Sequence, residues 1–237
     1  MPKIFFMAAK YPVCFCLLLA FVFCQTALGQ KLSAGFSAGP SFSTLRYNDP
    51  AQLPFDLNFD PFDFKTGFIV AANGTVHFNS STALRAEVNF ERRGGKSGVE
   101  LSDGNGQPLP DLTLQEHFDY VQVPVLLQLS AGNGAMFLAH FGFSFDYLVH
   151  RTSKFPGQII VQTDSKTYVL DMPSDFLKYD VSLVGGVGAS LPLSDWINLQ
   201  LMARVNSGLK NLNKDEAGFE VKNLSIAAMA TVQFTLQ

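Results

Sequence analysis

The chain has 237 residues, a formal net charge of -3, and 23 phenylalanines and 19 glycines against only 16% charged residues. That balance argues against nucleic acid as a partner, and the length suits a single domain. All three cysteines (Cys14, Cys16 and Cys24) lie in the first 29 residues, so residues 30–237 can hold neither a disulfide framework nor a thiolate metal site.

Residues 1–29 read as a cleaved secretory signal. Lys3 and Lys10 form a basic start, Val13–Phe23 an apolar core too short to span a bilayer as a helix, and Ala27-Leu28-Gly29 a small-x-small cleavage site. Residues 30–237 form the second unit. They contain no run approaching the roughly 20 apolar residues of a transmembrane helix. If this part enters a membrane, it must do so as a closed barrel.

Eight strands follow from a period of two in the apolar residues. The first covers about Lys31–Ser43, with Leu32, Ala34, Phe36 and Ala38 on one face. The second covers Lys65–Asn79, with Phe68, Val70, Ala72, Val76 and Phe78 opposite Asn73, Thr75 and His77. The third, Ala83–Arg93, sets Leu84, Ala86, Val88 and Phe90 against Arg85, Glu87, Asn89 and Glu91. The fourth, Phe118–Ser130, sets Val121, Val123, Val125, Leu127 and Leu129 against Tyr120, Gln122, Pro124 and Gln128. The fifth, Ala135–His150, carries Phe137, Phe141, Phe143, Phe145 and Tyr147 on one face and His140, Ser144 and Asp146 on the other. The sixth is Lys178–Leu191 and the seventh Ile197–Gly208. The eighth, Asn223–Gln237, alternates from Leu224 to Leu236, and its second face is uncharged.

The connections sort by parity. Asn79–Thr82, Ala131–Gly134 and Pro192–Trp196 are tight turns, whereas Thr44–Phe64, Gly94–His117, Arg151–Leu177 and Leu209–Val221 are long and polar. Such alternation fits an outer-membrane barrel with short periplasmic turns and long external loops. A strand of about 11 residues, at roughly 3.3 Å each and about 40° tilt, is long enough for an apolar band of about 25 Å. Trp196, Tyr179, Tyr120 and Tyr147 stand near strand ends, where an aromatic girdle belongs.

The fourth strand, Asp119-Tyr120-Val121-Gln122-Val123-Pro124-Val125-Leu126-Leu127-Gln128, resembles the Tyr-x-x-x-Pro-x-Leu-x strand of PorT-like outer-membrane β-barrel proteins of Bacteroidetes. Gly142 with Tyr147, Asp180 with Gly185-Gly186-Val187-Gly188, and Arg204 with Gly208-Leu209-Lys210-Asn211-Leu212 fit the same family in order. The resemblance implies an all-β fold, an eight-stranded antiparallel up-and-down transmembrane β-barrel. It carries a link to protein secretion and implies little else about activity.

Six charged residues fall on the inward faces: Arg85, Glu87, Glu91 and Arg93 on the third strand, Asp180 on the sixth and Arg204 on the seventh. An eight-stranded barrel is just wide enough for side chains to fill it, so these charges must pair. They read as a structural plug, with Arg204 a hub for Glu87 or Glu91; the rival is a narrow ion path. Pro124 reads as a bulge, because proline cannot donate to the ladder. The acidic run Asp56, Asn58, Asp60 and Asp63 fails as a calcium loop, since Pro61 and Gly67 occupy the positions that need Gly and Glu. His140 and Ser144 share a face without any recognisable nucleophile motif. The resulting reading is a monomeric, non-enzymatic barrel with no cofactor and no metal. Its partners are outer-membrane lipid and envelope or secretion-machinery proteins. A narrow pore and a lipid-modifying barrel enzyme are the alternatives.

Overall fold

The computed structural model describes residues 31–47, 63–99, 112–154, 160–163, 166–169, 177–212 and 221–236. Among the described residues, ten strands run in chain order: β1 Lys31–Tyr47, β2 Asp63–His77, β3 Thr82–Val99, β4 Leu112–Ala131, β5 Met136–Lys154, β6 Ile160–Thr163, β7 Lys166–Val169, β8 Tyr179–Pro192, β9 Ile197–Gly208 and β10 Val221–Leu236. Eight of them close into an antiparallel barrel in the order β1, β10, β9, β8, β5, β4, β3, β2. β6 and β7 pair with each other as a separate hairpin. The expected signal, residues 1–29, lies outside the described residues.

The period of two decides which way each side chain points. On β10, Ile226, Ala228, Ala230 and Val232 are exposed while Ala227, Met229, Thr231 and Gln233 are buried. On β5, Phe137, Phe141, Phe143 and Phe145 are exposed while Leu138, His140, Ser144 and Asp146 are buried. Among the described residues, more buried side chains are polar than apolar, and the outer wall carries the large apolar ones. This inverts the arrangement of a protein whose outer wall meets water, and only an apolar surrounding makes it stable.

The register sets the barrel's shape. From Leu32 the ladder passes through Val76, Leu84, Leu127, Phe141, Gly185, Val205 and Ile226, and returns to β1 at Phe42, ten residues further on. Eight strands with a stagger of ten residues, spaced about 4.8 Å apart with a rise of about 3.3 Å, tilt by roughly 40° and enclose a radius of roughly 8 Å. Closure leaves the eight-stranded sheet without a free edge.

The barrel continues past the apolar band. The third strand was expected to stop at Arg93 and the fourth to begin at Phe118, yet Gly94 pairs with His117 and the ladder runs on to Val99 and Leu112. Beyond the band, alternation no longer carries an apolar signal, and the backbone ladder carries the two strands on. The hairpin β6–β7 was missed for a related reason: its strands have four residues each, below the usual 5–6 or so. The tight turns are as expected in place, and Gly134 has φ of +84°, which favours glycine there. Asp63 of the acidic run opens β2, while Asp56, Asn58 and Asp60 lie outside the described residues.

Aromatic pairs stand at both ends of the outer wall. Tyr147 and Tyr179 face each other at 5.1 Å between ring centres near the long-loop end, and Trp196 stacks on Phe234 at 6.1 Å near the turn end. Tyr120 is not part of this girdle. It points inward at 1% exposure, because it shares the face of Gln122 and Phe118.

Pro124 makes no bulge. It pairs with Ser144 on β5, and on the β3 side the register is the same before it (Asn89 with Gln122) and after it (Ala86 with Val125); the two intervening pairings are missing. The proline omits rungs without shifting the ladder, and the β4–β5 irregularity sits at Asp119/Tyr120 instead. Pro40 does the same on β1, where pairing with β10 skips Gly39 and Pro40 and resumes unshifted.

At that seam the backbones come close. A Cβ on Gly39 would lie 1.8 Å from the Ala228 carbonyl oxygen, whereas one on Gly74 would meet nothing within 4 Å. Gly39→Ala is therefore expected to lower stability by about 3 kcal/mol, the upper end of overpacking costs, and Gly74→Ala by almost nothing. Urea midpoints in micelles compare the two.

Candidate functional site

Among the described residues, charge, burial and geometry converge in the lumen. From the turn end, a vestibule of about 470 Å³ opens between the short turns, walled by Ser33, His77, Gln128, Gln200 and Gln233 with Lys31 and Asp195 at its lip. Gln200 and Gln233 meet the first charged cluster: Arg85 Nη1 donates to Gln200 Oε1 at 2.9 Å and to Gln233 Oε1 at 3.4 Å.

That cluster centres on Glu87. Arg85 Nε donates to its Oε1 at 2.6 Å, Arg204 Nη1 to Oε2 at 2.6 Å, Arg204 Nη2 to Oε1 at 2.8 Å, and Asn89 Nδ2 to Oε2 at 3.2 Å. Side-chain exposure of the three charged groups is 0–2%. Arg204 grips Glu87 with both terminal nitrogens, the planar fork geometry that favours arginine over lysine. It takes Glu87, not Glu91. β9 and β3 lie four strands apart in either direction round the barrel, so this pair crosses the full diameter.

A second cluster lies nearer the long-loop end. Arg93 Nε donates to Glu91 Oε2 at 2.8 Å and Arg93 Nη1 to Asp146 Oδ2 at 3.1 Å. Asp146 Oδ2 also accepts from Gln122 at 3.1 Å and from Ser182 at 2.8 Å, while its Oδ1 accepts from Ser144. The Arg93 guanidinium lies over the Tyr120 ring at 5.3 Å, and the Tyr120 hydroxyl accepts from Asn223 at 3.0 Å. Two arginines and one glutamate make the first cluster formally +1; one arginine and two acids make the second formally -1. The two cancel, so together the clusters hold six ionic groups with no net charge.

Beyond this cluster the lumen is stoppered. Leu45, Phe118, Tyr120, Leu212 and Val221 pack together, with Leu148 against them, at 0–4% exposure for the five. The Arg151 guanidinium lies 5.7 Å over the Phe118 ring, and its Nε donates to Glu116 at 3.1 Å.

Of the six inward charges expected from sequence, five enter the two clusters. Asp180 does not: it is buried at 2%, but accepts from the backbone amides of Val181 at 2.8 Å and Lys210 at 3.2 Å. It fastens the end of β9 to the start of β8. Asp146 is the principal omission, and the signal for it was present, since it lies between the outward Phe145 and Tyr147. His140 and Ser144 are not joined. His140 Nε2 shares a hydrogen bond with Gln128 at 3.1 Å, and Ser144 donates to Asp146. Among the described residues no group of His, Cys, Asp and Glu is arranged to hold a metal.

The profile of a family described as outer membrane protein beta-barrel domain matches residues 23–214. Among solved structures, the chain is similar to Ail, the attachment invasion locus protein of Yersinia pestis, at 14% identity and a TM-score of 0.40, over 86% of this chain and 99% of that one. It is similar to the outer membrane protein OprG from Pseudomonas aeruginosa at 9% identity and a TM-score of 0.43, over 88% and 97%. It is also similar to the outer membrane protease OmpT from Escherichia coli at 8% identity and a TM-score of 0.41, over 87% and 97%. No curated protein matches it.

Proposed function

The chain belongs to the outer membrane protein beta-barrel domain family, and from that premise we propose that it is a plugged, non-enzymatic barrel of the bacterial outer membrane that works through contacts made at its two ends. A cleaved signal at residues 1–29 delivers it there. The lumen serves as a brace holding the wall rigid, with Arg85, Glu87, Glu91, Arg93 and Arg204 as its ionic members and Asp180 as a fastening at the rim. The polar vestibule and short turns face the periplasm, and the long loops face outward. Contacts with envelope proteins then occur on loops carried by a rigid scaffold. An accessory role in secretion, of the PorT-like kind, is the specific form this takes.

The observation that carries the reading is the stopper of Phe118, Tyr120, Leu45, Leu212 and Val221 above two interlocked ion clusters. A path for ions would have to pass both. Reconstituted into planar bilayers, the mature barrel is expected to give no steady conductance; stable unitary steps would favour the narrow pore. A pull-down from native envelopes identifies the partners, and failure to retain any envelope protein above a control barrel would count against the interaction role.

The pore reading has one observation of its own. Asn73, 7% exposed, has neither amide atom hydrogen-bonded, and His140 Nδ1 and Arg204 Nε also lack partners. Water entering from the vestibule would satisfy them, which is a wetted dead end rather than a channel as long as the stopper holds.

A further inference from the structure

Two buried glutamines of the turn-end vestibule are held from behind by their oxygens. Arg85 Nη1 donates to Gln200 Oε1 at 2.9 Å, and His140 Nε2 donates to Gln128 Oε1 at 3.1 Å. A carboxamide oxygen only accepts, so in each residue the group left over is Nε2, with two hydrogens to give. Neither Nε2 has an acceptor among the described residues, and both glutamines line the vestibule. They also stand at one height. The rung from Gln128 runs through His140 and Gly186 to Arg204 on β9, three strands on. The barrel's stagger carries that rung toward the long-loop end by about four residues over three strands. The β9 position level with Gln128 is therefore Gln200, nearly opposite it across the lumen. The charge behind them is positive. The Arg85–Glu87–Arg204 cluster, formally +1, adjoins the vestibule, and the formally -1 cluster lies beyond it, so the ions form a dipole along the barrel axis with its positive end toward the cavity. Asp195 is the one acid among the described lining residues, and it stands at the lip, as does Lys31.

We propose that the vestibule binds a small hydrophilic molecule by an oxyanion head, a carboxylate or a phosphate, received between Gln128 and Gln200. Donors and charge agree on the sign. Recessed N–H groups without acceptors need one, and the positive cluster behind them selects an anion, in surroundings where charge is felt more strongly than in water. Water alone satisfies the amides but leaves that charge uncompensated. Size argues for a small molecule, since the cavity of about 470 Å³ falls within the roughly 300–1,000 Å³ of small-molecule pockets. The wall argues for a hydrophilic body: Ser33, Asn198, Gln233 and Thr235 offer it hydrogen-bonding groups above the head.

The test uses the mature barrel labelled with nitrogen-15 in neutral detergent micelles, with glucose 6-phosphate, glucuronate and glucose as probes. The readout is the shift of the glutamine side-chain amide resonances during titration. The wild type is expected to show saturable shifts with at least one of the two anions and none with glucose; response to only one anion supports the proposal and identifies the head. Gln200→Glu keeps an oxygen for Arg85 but replaces the free donor by an acceptor and cancels the positive charge. It is expected to weaken anion binding at least tenfold, read on Gln128, with the fold verified by the gel shift of unheated samples. Gln128→Glu, read on Gln200, supplies an independent variant if the first misfolds. Lys178→Gln makes the same change in net charge at the exposed long-loop end and is expected to leave binding unchanged. The proposal is overturned by shifts with glucose equal to those with the anions, or by no saturable shift with either anion. It is also overturned if the folded glutamate variants bind as the wild type does, or if Lys178→Gln weakens binding as much as they do.

Discussion

Glu87→Gln is expected to lower the barrel's stability by about 3–5 kcal/mol, the cost of breaking a buried ion pair from one side. The carboxylate accepts from Arg85, Asn89 and both terminal nitrogens of Arg204. The amide keeps the volume but loses the charge and one acceptor oxygen, leaving two guanidiniums at 1–2% exposure without a counter-charge. Arg204→Ala costs less, since Glu87 retains Arg85, but still moves the urea midpoint and the heat-modifiable gel shift. A triple variant, Arg85→Met with Glu87→Leu and Arg204→Met, removes every charge of the cluster and is expected to recover most of the loss, because well-packed apolar groups replace a buried ion set at little cost. If Glu87→Gln left both readouts where the wild type has them, the bracing role would be wrong.

Asp146→Leu is the second large effect, again about 3–5 kcal/mol. Its carboxylate collects donors from four strands: Arg93 on β3, Gln122 on β4, Ser144 on β5 and Ser182 on β8. Leucine removes an acceptor from all four and shifts the second cluster from formally -1 to 0, so the two clusters together become +1. Asp146→Asn keeps an acceptor for two of the donors and is expected to lose about half as much. Unfolding in urea from lipid vesicles ranks the three proteins. Equal midpoints for the leucine and asparagine variants would mean that charge, not hydrogen bonding, is what Asp146 supplies.

How much of this was readable in the chain depended on distance. Arg85 and Glu87, or Glu91 and Arg93, are two residues apart on one strand, so they share a face and lie within reach of each other. That is arithmetic on sequence, and it located the lumen clusters. The eight staves and their order were equally plain, because Phe137 to Tyr147 or Leu224 to Leu236 can alternate so only on a wall with two different sides. The choice of Glu87 over Glu91 by Arg204 was not readable, as it depends on a stagger of ten residues summed over eight pairings. Asp180 was misjudged because its nearest donors are backbone amides, which every sequence has. Pro124 was misjudged because a missing rung and a bulge look alike until the register on either side of it is known.

The bond across the diameter also has a consequence for the order in which the protein forms. Glu87 and Arg204 are 117 residues apart, and between their strands lie four neighbours on each route round the circle, counting the last as the partner. As β3 takes its place beside β2 and β4, its carboxylates have no counter-charge from the far wall, so the half-built sheet must stay curled around water. Only when β9 arrives is that water dispensable. Expulsion of the interior solvent, arrival of β9 and sealing of β10 against β1 are thereby tied into one late step, with the long loop closures that make non-local pairing slow. A cell handling this chain therefore holds, for most of its maturation, an open hydrated bowl, and the finished cylinder appears at the end in a single event.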